Sequence, residues 1–512
     1  MIRFFLVLCL SVMNAVWAEG QIVSRSGTLN LESNDYSQYF AAKKYQPVIL
    51  SESYGKQVQF FKVLDYKPER LYKYYLNKIC AGVYIANCSY NKENLKLYTG
   101  TDVSKESGLI DSSIKSIDGY TLNYTTINNE GKPQLVSGAV LMPDSAKPIK
   151  GIVLFYHYTI LDKNNIPSNF NGDDFQLSRL MASAIASAGY VVVMPDYIGF
   201  GVDQHSVHPY ILYPEVNALS GLYMLKPLES ALAKMTINRV DNKIPLYISG
   251  YSEGGSYALW AAKIVQDNPD YFNDHPFSLE KTIPILGAYN MSKVTWNYVL
   301  NSQIKDKQSP DYIENSWVTE FAKPGLYVDA VHSYQYYESA SLNGSVFNPE
   351  FLACNNCVFK GIKYDVPSWI EKAPAKDGYK YAVIKNAAKA AGYNQDGSNS
   401  VAMLTKSDFK DNPQLHAKLL NADIYNWKAT TPISLLMLEY DSIVPRLNSE
   451  TAYIGLTNNN SRYVKVTRVP NQNFKVQGYI PWTDVDVDHP QGISFMLLFA
   501  RKELDGGIDA NN

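Results

Sequence analysis

The feature that most constrains this chain is the hexapeptide GYSEGG at residues 250–255, which follows an apolar run and precedes a run of helix formers. This order predicts a strand, a sharp turn and a helix, with Ser252 at the turn. The backbone of such a serine is strained, and a Cβ at Gly250 or Gly254 would collide with the adjacent strand or helix. The turn lifts the hydroxyl clear of the sheet and sets the Glu253 N–H at a helix N-terminus, where it can stabilise an oxyanion. This context favours a nucleophile over an ordinary Gly/Ser-rich loop.

The overall composition is that of a globular protein without strong charge. The chain has 512 residues, of which 46% are apolar, enough for one large domain with insertions or for two domains. The net charge is −2, so no attraction to nucleic acid or to an anionic membrane surface is predicted.

Residues 1–18 have the organisation of an export signal. Arg3 gives a basic start, residues 4–12 are apolar, and Val16 and Ala18 suit cleavage before Glu19. Because the apolar run is too short to span a bilayer comfortably, we expect the signal to be removed, with Cys9, from a protein that is secreted or periplasmic.

The four cysteines that remain are an even number in an exported chain. Local pairing of Cys80 with Cys88 and of Cys354 with Cys357 would close two small loops in an oxidising compartment. A metal or redox site is the alternative for the CNNC run at 354–357, but no second pair of His or Cys accompanies it. A metal at this run is therefore not expected, and the chemistry predicted below for Ser252 requires no metal and no organic cofactor.

From residue 117 onward the chain alternates between strand and helix patterns. Two alternating runs, 117–128 and 134–142, are separated by turn residues and predict an antiparallel hairpin. Continuous apolar runs predict buried strands at 151–156, 190–194, 283–289 and 432–439, and a last strand is predicted at 463–468. Helical patterns lie at 177–189, 214–234, 258–265 and 491–503. The chain therefore predicts an α/β fold, a mostly parallel sheet with helices on both faces.

The predicted domain boundaries follow these patterns. An N-terminal extension (19–116), with a helix at 69–79, precedes the first part of the core (117–290). Residues 291–429 interrupt the core before its second part (430–505). An insertion of this length must fold on its own, and a cap over the site is the natural hypothesis.

A serine nucleophile needs a base, and the base needs an anionic partner. In proteins with this elbow the chain order is nucleophile, acid, base, with the acid just beyond a core strand. Asp441 follows the strand at 432–439, and His489 is the only histidine after it, in a predicted loop between the last strand and the last helix. Asp441 and His489 are thus the predicted acid and base.

Simpler roles exist for these residues. An aspartate after a strand often forms a turn, and a histidine in a polar loop is often solvated. Glu439 competes for the acid role, but its strand would point it to the opposite face from Tyr440. The acidic run 484–488 allows calcium binding, although a solvated loop, with Asp488 adjusting the histidine, is the simpler interpretation.

The second oxyanion donor is expected in the loop after the strand at 151–156, which reads His157-Tyr158-Thr159. The candidates are the N–H of Tyr158 and the N–H of Thr159, with the Thr159 hydroxyl as a further contributor. His157 is predicted to hold this loop rather than to act as a base.

These motifs together resemble the α/β-hydrolase superfamily. The resemblance rests on FYH at 155–157, VVVMPDYIGFG at 191–201, the elbow, Asp441 with the following VP, and His489. The PDYxGxG run, the GYSxGG elbow, the signal peptide and the large insertion resemble secretory lipases and related bacterial esterases, over about residues 117–503. Two departures stand out: His157 is not followed by glycine, and Glu253 occupies a position where relatives commonly have glutamine.

The resemblance implies an exported serine hydrolase that cleaves carboxylic esters, lipids among them, with transient contact with lipid interfaces. A secreted peptidase of the same fold, with Glu253 or a cap carboxylate anchoring the ammonium of a short peptide, is the first alternative. A catalytically silent binding protein that keeps the fold is the second.

Overall fold

The computed structural model describes most of the sequence. The described residues are 22–23, 36–40, 46–80, 83, 85–160, 165–170, 177–301, 326, 329–330, 333–334, 336–338, 413–477 and 484–506. The predicted signal peptide and the predicted Cys354–Cys357 pair lie outside them. Most of the predicted cap insertion also lies outside them, so this domain division stays a prediction.

The secondary structure alternates along most of the described chain. The strands are β1 (Ile22–Val23), β2 (Gln57–Tyr66), β3 (Ile114–Ile127), β4 (Pro133–Ser145), β5 (Gly151–Tyr156), β6 (Tyr190–Pro195), β7 (Ile244–Tyr251), β8 (Phe277–Ile285), β9 (Ile433–Leu438), β10 (Val464–Val469), β11 (Lys475–Gln477) and β12 (Asp484–Asp486). The α-helices are α1 (Pro68–Cys80), α2 (Ile85–Thr99), α3 (Glu106–Leu109), α4 (Leu177–Ala184), α5 (Pro214–Leu225), α6 (Glu229–Leu232), α7 (Glu253–Asp267), α8 (Pro269–Asn273), α9 (Trp296–Asn301), α10 (Pro413–Ala422), α11 (Leu447–Asn458) and α12 (His489–Leu504). Over the described residues, no helix has both the length and the apolar character needed to cross a bilayer.

Strands β1 to β10 form one twisted sheet in the order β1-β10-β9-β8-β7-β5-β6-β4-β3-β2. The six strands from β10 to β6 in this order are parallel, and β2, β3 and β4 extend the sheet antiparallel at one edge. Helices α5 and α7 pack on one face, whereas α4 and α12 pack on the other. This is the mostly parallel, doubly covered sheet that the sequence predicts.

The apolar runs form the central strands because both of their faces are covered. Every residue of β5, β6 and β9 is buried, as expected for parallel strands between two helical layers. The predicted hairpin at 117–142 is confirmed as β3 and β4.

Two boundary predictions are wrong. The strand predicted at 283–289 is β8, which begins at Phe277 and ends at Ile285, because Leu286 turns the chain with a φ of 50°. The helix predicted over 214–234 is broken after Leu225, where Pro227 lies in a 3-10 turn and cannot donate a backbone hydrogen bond.

The N-terminal extension is built onto the core. Strand β2 pairs antiparallel with β3 and becomes the edge of the sheet, and α1 packs against α4 and α12. The Tyr75 hydroxyl of α1 donates to the Ser494 carbonyl of α12 over 2.5 Å. The predicted Cys80–Cys88 disulfide is confirmed, and it joins the end of α1 to the first turns of α2.

Replacing both Cys80 and Cys88 with serine is expected to lower the free energy of unfolding by about 2–3 kcal/mol, because the crosslink closes a short loop in the unfolded chain. Denaturant unfolding of the wild type and of the double variant, each with and without a thiol reductant, measures this. The difference in the free energy of unfolding between the two proteins should disappear under reducing conditions. If it persists, the packing of the two side chains, and not the crosslink, is responsible.

Candidate active site

Ser252 occupies the sharp turn between β7 and α7. Its φ is 58° and its ψ is −120°, a conformation that costs a non-glycine residue energy. The Ser252 N–H donates to the Ile285 carbonyl at the end of β8 over 2.8 Å, and the Gly255 N–H donates to the Ser252 carbonyl over 2.9 Å. These bonds hold the strained turn, as the sequence predicts.

The glycines of the elbow allow three backbone segments to touch. A Cβ at Gly250 would lie 2.1 Å from the Gly254 carbonyl oxygen, and one at Gly254 would lie 2.1 Å from the Tyr156 carbonyl oxygen. A Cβ at Gly255 would lie 2.6 Å from the Ile285 carbonyl oxygen. The start of α7 therefore packs directly onto the ends of β5 and β8, which brings the elbow beside the loop after β5.

His489 is the first residue of α12, not a loop residue as predicted, and Asp488 caps the helix by accepting from the His489 N–H over 2.7 Å. The imidazole is buried, with Nε2 2.7 Å from Ser252 Oγ and Nδ1 2.6 Å from Asp441 Oδ2. Because a carboxylate only accepts, Nδ1 carries the proton and Nε2 can accept from the serine hydroxyl. The structure thus brings together the three side chains proposed as nucleophile, base and acid.

Asp441 lies in the loop between β9 and α11 and is held on both of its oxygens. Oδ1 accepts from the N–H groups of Ile443 and Val444 over 2.9 and 2.7 Å, while Oδ2 faces His489. This local turn fixes the carboxylate before the imidazole is considered. Glu439, the competing acid, does not make this contact.

Asp488 ties the acid loop to the base. Besides capping α12, it accepts from the Ser442 N–H over 3.1 Å and from the Ser442 hydroxyl. The His489 carbonyl accepts from the Tyr251 hydroxyl over 2.7 Å. A helix N-terminus carries partial positive charge, so the carboxylates of Asp441 and Asp488 offset the repulsion that an imidazolium would meet there.

The loop after β5 is held by His157, as predicted. This buried ring contacts the Tyr158 carbonyl through Nδ1 at 2.7 Å and the Asp196 carbonyl through Nε2 at 3.3 Å. Burial lowers the pKa of His157 to about 4, so the ring is neutral near pH 7 and its single N–H donates to one of these two carbonyls. The Thr159 hydroxyl lies 3.0 Å from the Tyr210 hydroxyl.

The PDYIGFG segment supports the same loop from the other side. The Tyr197 hydroxyl donates to the His157 carbonyl over 3.0 Å. Asp196 is fully buried and accepts from the Ser137 hydroxyl and the Ser168 N–H over 2.6 and 2.9 Å. Sequence reasoning used this segment only for its resemblance; that it carries buttressing side chains appears only in the fold.

Glu253 begins α7 with its N–H free of an intrahelical partner, as the first residues of a helix are. Its side chain is buried, accepting from the Tyr257 hydroxyl over 2.5 Å and lying 2.8 Å from His208 Nε2. Because both contacts are made inside the protein, this carboxylate is not offered to a peptide ammonium. Sequence reasoning missed His208, which no spacing rule connects to Glu253.

The aspartates of the acidic run 484–488 contact other side chains of the protein. Asp484 accepts from the Asn87 side chain, and Asp486 forms an ion pair with Lys475. In the described part of the chain, no three His, Cys, Asp or Glu side chains are grouped so that they could hold a metal ion.

A cavity of about 820 Å³ lies away from these residues. It is bordered by the first turn of α5, by residues 336–338 and by α10, and none of Ser252, Asp441 and His489 lines it. We therefore assign it no part in the chemistry of Ser252.

A mostly parallel sheet in this strand order, with a serine on the strained turn after β7, defines the α/β-hydrolase fold. Residues 164–274 match the secretory lipase family, a segment that includes both PDYIGFG and the elbow. The resemblance stated from the sequence is thereby confirmed.

Solved structures show the same fold. A Legionella pneumophila protein assigned as a hydrolase is 18% identical, with a TM-score of 0.58 over 89% of this chain and 100% of that chain. The rice cell wall degrading esterase LipA from Xanthomonas oryzae is 17% identical, with a TM-score of 0.58 over 89% of this chain and 99% of that chain. No protein of curated function matches the chain by sequence. At these identities the solved structures show a shared fold.

Replacing Gly254 with alanine is expected to destabilise the protein by about 3 kcal/mol or more, because the new Cβ would meet the backbone carbonyls of Tyr156 and His157. Gly131→Ala is the matched control: its Cβ has no heavy atom within 4 Å, and only its left-handed φ of 76° adds about 1 kcal/mol of strain. Denaturant unfolding compares the two. Equal losses would show that the contact with β5 does not constrain the elbow.

His157 should make stability fall as the pH is lowered. Its pKa is about 4 in the fold and about 6.5 when exposed, so between these values the unfolded chain binds a proton that the folded protein does not. We expect the wild type to lose about 3 kcal/mol more than His157→Asn between pH 7 and pH 4, as measured by denaturant unfolding. If the free energy of unfolding falls equally with pH in the two proteins, the assignment of His157 as a neutral ring is contradicted.

Proposed function

We propose that this protein is an exported serine hydrolase that cleaves carboxylic esters through an acyl-enzyme on Ser252. The observation that carries the proposal is the chain of contacts from Ser252 Oγ to His489 Nε2, at 2.7 Å, and from His489 Nδ1 to Asp441 Oδ2, at 2.6 Å. A serine, a neutral imidazole and a buried carboxylate in this order are the groups that nucleophilic acyl transfer requires.

In the proposed reaction Ser252 Oγ attacks the ester carbon while His489 Nε2 takes the hydroxyl proton. Asp441 stabilises the imidazolium that forms, and its bonds to Ile443 and Val444 keep it oriented. The imidazolium then protonates the departing alcohol. Water, deprotonated by the same imidazole, releases the acid from the acyl-enzyme and restores Ser252.

The tetrahedral intermediates need two hydrogen-bond donors for their oxyanion. The Glu253 N–H at the start of α7 is the first proposed donor, since it adjoins the nucleophile and benefits from the helix dipole. The second is the N–H of Tyr158 or Thr159, in the loop on which Gly254 packs. His157 and Tyr197 hold that loop in place.

The substrate class and the compartment rest on separate observations. The secretory lipase match and the structural neighbours support an ester, and we propose that lipid esters taken from an interface are among the substrates. The Cys80–Cys88 disulfide fits an oxidising compartment and therefore export.

The structure bears on one feature of the alternative functions. The peptidase hypothesis called on Glu253 or a cap carboxylate as an anchor for an ammonium group; His208 and Tyr257 engage the Glu253 carboxylate, and most of the predicted cap lies outside the described residues. A silent binding protein has no need of the hydrogen-bonded serine, histidine and aspartate. Comparing the turnover of acyl esters with that of aminoacyl-naphthylamides separates esterase from peptidase, and fluorophosphonate labelling separates either from a binding protein.

Ser252→Ala is expected to lower the hydrolysis of a short p-nitrophenyl ester roughly a millionfold, because the nucleophile is lost. Ser256→Ala is the matched control, since Ser256 lies one turn further along α7, is also buried, and donates to the Ala288 carbonyl over 2.9 Å. Its activity should stay within about threefold of the wild type, because losing one buried hydrogen bond away from the reacting groups lowers stability rather than the rate of the reaction. Circular dichroism should be unchanged in both. Wild-type rates in Ser252→Ala would refute the acyl-enzyme.

A further inference from the structure

The oxyanion donor proposed at Glu253 has an unfavourable side chain. The carboxylate is buried, and it belongs to the residue whose backbone N–H is proposed to stabilise the oxyanion. Two like charges in a poorly solvated site repel each other strongly, so an uncompensated carboxylate here would raise the energy of the transition state. A glutamine at this position would not create this repulsion.

The structure provides a compensating group in His208. Its Nε2 lies 2.8 Å from Glu253 Oε1, and the side chains of both residues are largely buried, at 11% and 1% exposure. Its Nδ1 lies 2.9 Å from the Ile198 carbonyl oxygen, in the PDYIGFG segment. His208 therefore bridges the first residue of α7 and the segment that supports the loop after β5.

The hydrogen bonds determine how the protons are distributed. A carbonyl oxygen only accepts, so Nδ1 must carry a proton. Glu253 Oε1 also accepts from the Tyr257 hydroxyl. One proton lies between Nε2 and Oε1: on Nε2 it gives an imidazolium beside a carboxylate, and on Oε1 it gives a neutral ring beside a neutral acid. Both arrangements satisfy all three contacts, and neither has a net charge.

The surroundings of the His208 ring suit a cation. Tyr197 stacks on it with ring centroids 5.7 Å apart and planes 9° apart, and the rings of Phe200 and Tyr210 lie 4.9 and 6.0 Å away. Aromatic faces attract a positive charge, and their bulk excludes water from the ion pair. Exclusion of water makes the charge on Glu253 more costly without a partner and the pairing more necessary.

From this geometry we infer that His208 is a positioning residue for the hydrolytic reaction. It shares a proton with Glu253 in a pair that has no net charge, and it fixes the first residue of α7, so the oxyanion forms beside a neutral pair. The inference rests on the proposed function, because it concerns the oxyanion donor of Ser252.

The test measures the effect of His208→Gln in two backgrounds, wild type and Glu253→Gln. Glutamine keeps a donor for Glu253 but cannot carry the shared proton, so the carboxylate is left uncompensated. In the wild-type background kcat for a short p-nitrophenyl ester, expressed per serine titrated by a fluorophosphonate, should fall roughly ten- to hundredfold. In the Glu253→Gln background the same substitution should lower kcat by less than about threefold, because no carboxylate then needs compensation.

His275→Gln is the matched control. This buried histidine also contacts two carboxylates, those of Glu229 and Glu52 at 2.5 and 3.0 Å, but it lies at the amino end of β8, away from Ser252. It should lower stability and leave kcat within about twofold of the wild type, since its side chain is remote from the oxyanion. A loss of kcat equal to that of His208→Gln would overturn the inference.

Other outcomes are equally decisive. Equal losses of kcat from His208→Gln in both backgrounds would assign His208 a purely structural role, and no loss in the wild-type background would assign it none. If His208→Gln alone does not fold, a large loss in the double variant relative to Glu253→Gln would still overturn the inference, and near-equality would support it. Failure of the proposed function is separate: the unmodified protein would then neither turn over esters nor react with the fluorophosphonate.

Discussion

The site depends on one strained residue, Ser252, whose backbone is held in a conformation that it would not adopt alone. Its N–H is bonded to the end of β8, and the glycines around it let α7 press against the ends of β5 and β8. Every other group is arranged around this point, because strand ends that meet at one edge of a parallel sheet bring distant segments together. The rigidity of the sheet thus maintains the strain at the serine.

Charge is balanced separately on the two sides of Ser252. On the side of the proposed base, Asp441 and Asp488 face a histidine at the positive end of α12. On the side of the proposed oxyanion donor, His208 faces the carboxylate of Glu253 at the start of α7. In both places buried, hydrogen-bonded partners surround the ionisable group, which is how an apolar interior can tolerate it.

Much of the fold and of the candidate site followed from local sequence patterns. Buried parallel strands are continuous apolar runs, so β5, β6 and β9 were predicted nearly to the residue. The boundaries that failed depended on information outside the run: β8 begins in a mixed segment before its apolar part and ends where Leu286 turns. His489 was predicted in a loop because the start of its helix depends on the Asp488 cap. Nothing in the acidic run 484–488 distinguishes the one aspartate that caps a helix.

The sequence by itself determined the elbow, the candidate nucleophile, acid and base, the Cys80–Cys88 pair and the parallel sheet, because each rests on residue types at short spacing or on chain order. Only the tertiary structure decided that Glu253 pairs with His208, that Asp488 joins the loop of Asp441 to His489, and that Tyr197 supports the loop after β5. These contacts join segments separated by tens of residues along the chain. No local pattern encodes such pairs, since packing of the sheet and its two helical layers brings them together.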